Sequence, residues 1–110
     1  MQREYKDKAE YEAAVERIGH MEKAFGKACA AQKRLRNALS AYSKAAEAFS
    51  ELSAYYEGEW KRDFAADENG ELPSELKRGV LSEDGLWDMF EENKELAEQL
   101  KKLAEEIERA

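Results

Sequence analysis

Between Ala14 and Tyr56 the apolar positions recur at alternating intervals of four and three. The row runs Ala14, Ile18, Met21, Phe25, Ala28, Gln32, Leu35, Leu39, Tyr42, Ala46, Phe49, Ser53 and Tyr56, with Gln32 and Ser53 its polar interruptions. A mean spacing of 3.5 keeps one stripe of an α-helix apolar over many turns, so the row predicts a heptad seam on a helix spanning about residues 9–57. A second row at intervals of seven, Ala24, Ala31, Ala38, Ala45 and Leu52, runs beside it. Its small side chains leave room for another helix to come close. The stretch contains no proline and the phase never breaks, which favours one helix, with Gly19 or Gly26 as the place for a bend. Such a rod would be roughly 70 Å long at about 1.5 Å per residue. That length makes a hairpin turn at 32–37 the competing expectation.

Glu57–Gly58 closes this element, glycine being the common residue just past a helix end. Residues 58–82 then read as a connector of short helices and turns. Trp60 and Phe64 are four apart and share a face over one or two helical turns. Asp67, Glu68, Asn69 and Gly70 read as a turn, and Leu72–Pro73–Ser74–Glu75–Leu76 as another, ending at Lys77–Arg78–Gly79. The last helix, about residues 83–108, opens at Ser82 as N-cap, with Glu83 and Asp84 placed against the positive end of the helix dipole. Its seam is Leu86, Phe90, Asn93, Ala97, Leu100, Ala104 and Ile107, with Met89, Leu96 and Leu103 alongside.

The fold class expected is all-α: two long amphipathic, coiled-coil-like helices joined by the connector, as a helical hairpin or three-helix arrangement in a single domain, 1–110. The second helix is shorter by about twenty residues and cannot cover a straight first seam in full. Leftover apolar surface of that kind is normally buried by a second copy or another protein. A protein partner is therefore expected, a homodimer among them.

Composition narrows the classes. With 43 % hydrophobic residues among 110 the chain has enough apolar material for one core, despite 39 % charged residues. No run of about eighteen apolar residues exists and the N-terminus lacks an apolar signal stretch, so a cytoplasmic protein without a membrane span is expected. Net charge is −7. Residues 1–57 carry ten basic and nine acidic side chains, whereas residues 58–110 carry eight and sixteen. Inside the first half, Lys23, Lys27, Lys33, Arg34, Arg36 and Lys44 form a basic stretch with no acid among them.

Catalytic chemistry finds little to work with, and no enzyme is expected. A nucleophilic or acid–base site needs a base held against a nucleophile by a third group. His20, the one histidine, falls off the seam and reads as a solvated surface residue. The one cysteine, Cys29, sits between alanines and reads as a small packing residue rather than a reactive thiol. The carboxylates Asp88, Glu91 and Glu92 lack the Glu-x-x-His partner of a di-iron site and read as a solvated face. Aligning Gly70 with the glycine of a calcium loop puts Ala65 and Leu76 at the first and twelfth ligand positions, where acids are needed. No metal ligands and no cofactor are expected.

The connector sequence YYEGEWKRDFAADENGELPSELKRGVLSEDGLWDMF, Tyr55 to Phe90, is more specific. Its pieces YY, EW-x-x-DF-x-AD-E-x-G and LP-x-x-LKRGVLSED resemble a family of small bacterial proteins known as domain of unknown function 4298. The resemblance covers most of the chain from about Ala14 onward. It implies a heptad-rich N-terminal helix and a bacterial cytoplasmic setting, and it carries no activity. Gly85 stands where the family often has alanine, which weakens the start of the last helix.

Two surfaces follow as candidates. Trp60, Phe64, Leu72, Val80, Leu81, Trp87 and Phe90 are too many apolar groups for a plain linker and are expected to form a local core pinning the helices. Beside it, Trp60, Arg62, Lys77 and Arg78 are the candidate partner-binding residues, since tryptophan and arginine dominate hot spots. The leading expectation is a non-enzymatic interaction module, a helical adaptor or regulator. One alternative is an acidic decoy in which the carboxylates of residues 58–110 imitate nucleic acid to inhibit a nuclease. The other is nucleic-acid binding through the basic segment 23–44. That segment is read first as the counterpart of Glu91, Glu92, Glu95 and Glu98 on the last helix.

Overall fold

The computed structural model describes residues 3–110. Its elements are α1 (Lys8–Lys44), α2 (Ala46–Glu57), α3 (Trp60–Glu68), a single 3-10 turn (Gly79–Leu81) and α4 (Gly85–Arg109). The fold is all-α, with long N- and C-terminal helices joined by short ones, and no strand occurs among the described residues. The chain divides into two units, Met1–Ala46 and Glu47–Ala110.

In the first unit α1 begins at a cap formed from both sides. Asp7 has extended backbone and its Oδ1 accepts the Glu10 amide at 2.9 Å, while Glu10 Oε2 accepts the Lys6 amide at 2.5 Å. Two amide groups at the helix start are thereby satisfied by the reciprocal logic of a capping box. The helix then runs unbroken through 32–37, where a hairpin turn was the competing expectation. The interruption lies instead at Ala45. Its amide donates to both Tyr42 O at 3.0 Å and Ala41 O at 3.3 Å, one tightened turn before α2 resumes. Neither glycine nor proline occurs in residues 41–49, so no breaker in the sequence marks the place.

Most of α1 is exposed. Ala14 is its one buried residue and Leu35 is half-buried. Ile18, Met21, Phe25, Leu39 and Tyr42 all present their seam side chains to solvent, Phe25 at 65 % exposure.

The second unit is built around the end of α2, α3, the 3-10 turn and the first turns of α4. Gly58 closes α2 as expected, its amide donating to Tyr55 O at 3.1 Å. At the far end of α3, Gly70 takes φ +72°, the left-handed conformation that glycine adopts without penalty. The Gly70 amide bonds Asp67 O and the Glu71 amide bonds Ala66 O, both at 3.0 Å, which is the paired pattern of a Schellman cap. The regular part of α4 starts at Gly85, three residues beyond Ser82. Ser82 is nevertheless extended (φ −66°, ψ 144°), and its Oγ accepts the Gly85 amide at 3.1 Å. The hydroxyl thus performs the expected cap.

Between these ends lies the local core. Trp60 stacks on Phe64 with centroids 5.0 Å apart, tilts against Tyr56 at 5.1 Å, and Tyr56 meets Phe90 at 5.8 Å. Leu81 and Leu86 are the buried residues of this unit's 3-10 turn and α4. Val80 and Trp87, expected in this core, are exposed, Trp87 at 53 %. On α4 the covered stripe is Leu86, Met89, Phe90, Asn93, Leu96 and Leu103, whereas Leu100 and Ile107 of the expected seam face water. No helix among the described residues is long and apolar enough to cross a membrane.

Candidate functional site

Of the four candidate partner-binding residues, two are committed inside the second unit. The indole Nε1 of Trp60 donates to Val80 O at 2.7 Å, and the ring is half-buried among aromatic neighbours. Arg78 goes further. Its Nε donates to Asp67 Oδ1 at 2.6 Å, Nη1 to the carbonyls of Leu76 (2.9 Å) and Ser74 (3.1 Å), and Nη2 to those of Pro73 (2.6 Å) and Leu72 (3.5 Å). One planar guanidinium thus gathers the carbonyls of the 72–76 loop and fastens them to α3, which a fixed fork of donors suits better than an ammonium point charge. At 33 % side-chain exposure this arginine works chiefly as a clamp. Arg62 and Lys77 stay on the surface, Arg62 in a loose 3.8 Å ion pair with Glu59.

A third tie joins α2 to α3. Tyr55 donates its hydroxyl to Asp63 Oδ2 at 2.6 Å. Burial first, then the hydrogen bond to Asp63 and the negative charges of Asp63 and Glu59, push the Tyr55 phenol up from 10.0 to about 12. The phenol therefore holds its proton firmly, as a structural donor should. Sequence reasoning missed Tyr55, Asp63 and Asp67. The YY, DF and AD pairs of the signature contain them, but no local spacing says which carboxylate meets which donor.

The remaining chemistry-bearing groups are scattered. His20 is exposed. Cys29, expected as a packing residue, is exposed as well, because nothing in its own unit lies over that face of α1. No group of three or more metal-ligating side chains occurs among the described residues. A concavity of about 560 Å³ is lined by residues 3–8 and Tyr11, all of them exposed. On α4, Glu91 pairs with Lys94 at 3.1 Å and Glu98 with Lys101 at 3.3 Å, solvated pairs along one helix.

Lys23, Lys27, Lys33, Arg34, Arg36 and Lys44 are all exposed on α1. At 100° per residue the first four and Lys44 fall on the side away from the seam, and Arg36 falls at the seam's edge. The apolar row from Ile18 to Tyr42 is the other extended surface of α1. Its large side chains are 45–65 % exposed along one helical stripe, more apolar exposure in a row than scattered surface residues give.

No curated protein and no solved structure matches the chain. A family model does: the one described as Domain of unknown function (DUF4298) matches residues 18–103. That match begins at the first exposed seam residue and ends within the covered stripe of α4, so it takes in the seam, the Trp60 stack and the Arg78 clamp together. The chain belongs to this family, DUF4298.

Proposed function

We propose that the chain is a non-enzymatic protein–protein interaction module, a helical adaptor or regulator of the bacterial cytoplasm, and that the α1 seam is its contact surface. The observation that supports this is the exposed row Ile18, Met21, Phe25, Leu39 and Tyr42. Burying such side chains yields about 25 cal/mol per Å² of apolar surface, which is what a heptad seam supplies when a second helix covers it. The connector supports the reading in a different way. Its tryptophan and arginine hold the second unit together, leaving recognition to α1.

The test is a photo-reactive phenylalanine analogue placed at Phe25 in the full chain, illuminated in living cells. Adducts heavier than the chain itself are expected. A protein that folds normally yet gives no adduct at this position overturns the reading.

Nucleic-acid binding is the second reading, favoured by the exposed basic side of α1 around Lys23, Lys27, Lys33 and Arg34. A net charge of −7 opposes it. Gel-shift titration at low salt decides it: no shift, no binding.

A further inference from the structure

We infer that the partner of the α1 seam is a second copy of the same helix, lying antiparallel with its midpoint at Ala30. This deepens the interaction reading above and rests on it. Numbered as heptads, the seam places Ile18, Phe25, Gln32 and Leu39 at a and Met21, Ala28, Leu35 and Tyr42 at d. In an antiparallel pair a meets d. Centring two copies on Ala30 sets Ile18 against Tyr42 of the other copy, Met21 against Leu39, Phe25 against Leu35 and Ala28 against Gln32. Every large apolar group meets another, and the one polar seam residue meets a small one.

The seam's edges agree with this register. In antiparallel pairs the edge positions face their own kind, e with e and g with g. Positions g are Ala24, Ala31 and Ala38, so Ala24 faces Ala38 and Ala31 faces its own copy, which allows close approach on that side. Positions e are Glu22, Cys29 and Arg36, so Glu22 faces Arg36 twice, once on each side of the symmetry axis. Cys29 faces Cys29 at the axis itself, and its exposure in the single chain leaves it free to do so.

Of the two orientations only the antiparallel one sets Glu22 against Arg36, and the five remaining basic residues of 23–44 point outward in either case. A C2 pair of this kind is closed, each residue pairing reciprocally, so it stops at two copies.

Sedimentation of the full chain should give twice the 12.6 kDa chain mass, and Phe25→Glu should return it to one, with unchanged helix content because Phe25 is exposed in the single chain. Glu22→Arg and Arg36→Glu should each weaken the pair about tenfold, from two lost ion pairs and two new repulsions. The double swap should restore it. A short bismaleimide should join Cys29 to Cys29 in the native chain and not in Phe25→Glu. A monomer at high concentration, or a double swap no tighter than the single ones, overturns the inference. The photo-adduct at residue 25 separates the two readings: adducts only of masses other than twice the chain's sink the self-pairing and leave the interaction module standing.

Discussion

The indole Nε1 of Trp60 donates to the carbonyl of Val80 at 2.7 Å, joining the first residue of α3 to the 3-10 turn twenty positions later. The same ring stacks on Phe64 and tilts against Tyr56. Trp60→Phe keeps most of the stacking and removes only the donor. Because Val80 is exposed, water can take the donor's place, and the loss should be about 1 kcal/mol. Trp60→Ala removes the stack as well and should cost ~2–3 kcal/mol, less than for a fully buried ring. Urea unfolding of the two variants checks both the order and the gap.

Arg78 concentrates five donor contacts on one carboxylate and four carbonyls. Arg78→Lys keeps the charge and loses the fork, so it should behave much like Arg78→Ala, each costing about 1–2 kcal/mol at this partly exposed site. Amide exchange should quicken across residues 71–78 and stay unchanged in α1. Full protection of the loop in Arg78→Lys would show that charge alone suffices.

The raised pKa of Tyr55 sets a direction for alkaline stability. The fold favours the protonated phenol, so its contribution is complete below the ordinary pKa of 10.0 and is lost as pH rises from there to about 12. Chemical unfolding should therefore become easier across that window, and Tyr55→Phe should flatten the part of the slope that belongs to this residue. An identical slope in the variant would detach the effect from Tyr55.

Gly85 opens α4 next to a crowded hydroxyl. A Cβ there would lie 2.3 Å from Ser82 Oγ and 3.0 Å from Gly79 O, while Ser82 Oγ itself bridges Gly79 O and the Gly85 amide. Alanine should gain up to ~1 kcal/mol of helix propensity and lose a cap of similar worth. Gly85→Ala alone should thus be neutral to destabilising, and less harmful in a Ser82→Ala background, where the clash with Oγ is gone. Additive effects in that double-mutant cycle would contradict the clash.

What the residues determine unaided is everything with a short period. Alternating fours and threes place α1, α2 and α4. Gly58 and Gly70 end α2 and α3, and Ser82 caps α4, because each needs only its neighbours within four positions. Recognition of the family is of the same kind, resting on an ordered string of residues from Tyr55 to Phe90. The tertiary structure alone decided which of the marked residues were already engaged. Arg78 reads as an exposed hot spot until Asp67, eleven positions back, is seen to hold it, and Trp60 reads likewise until its indole N–H is seen to bond the Val80 carbonyl. Those partnerships depend on the path of the chain through the 72–76 loop, which no periodicity encodes. The interruption at Ala45 belongs with them, since residues 41–49 supply no breaker and the tightened turn is visible only in the bonds its amide makes.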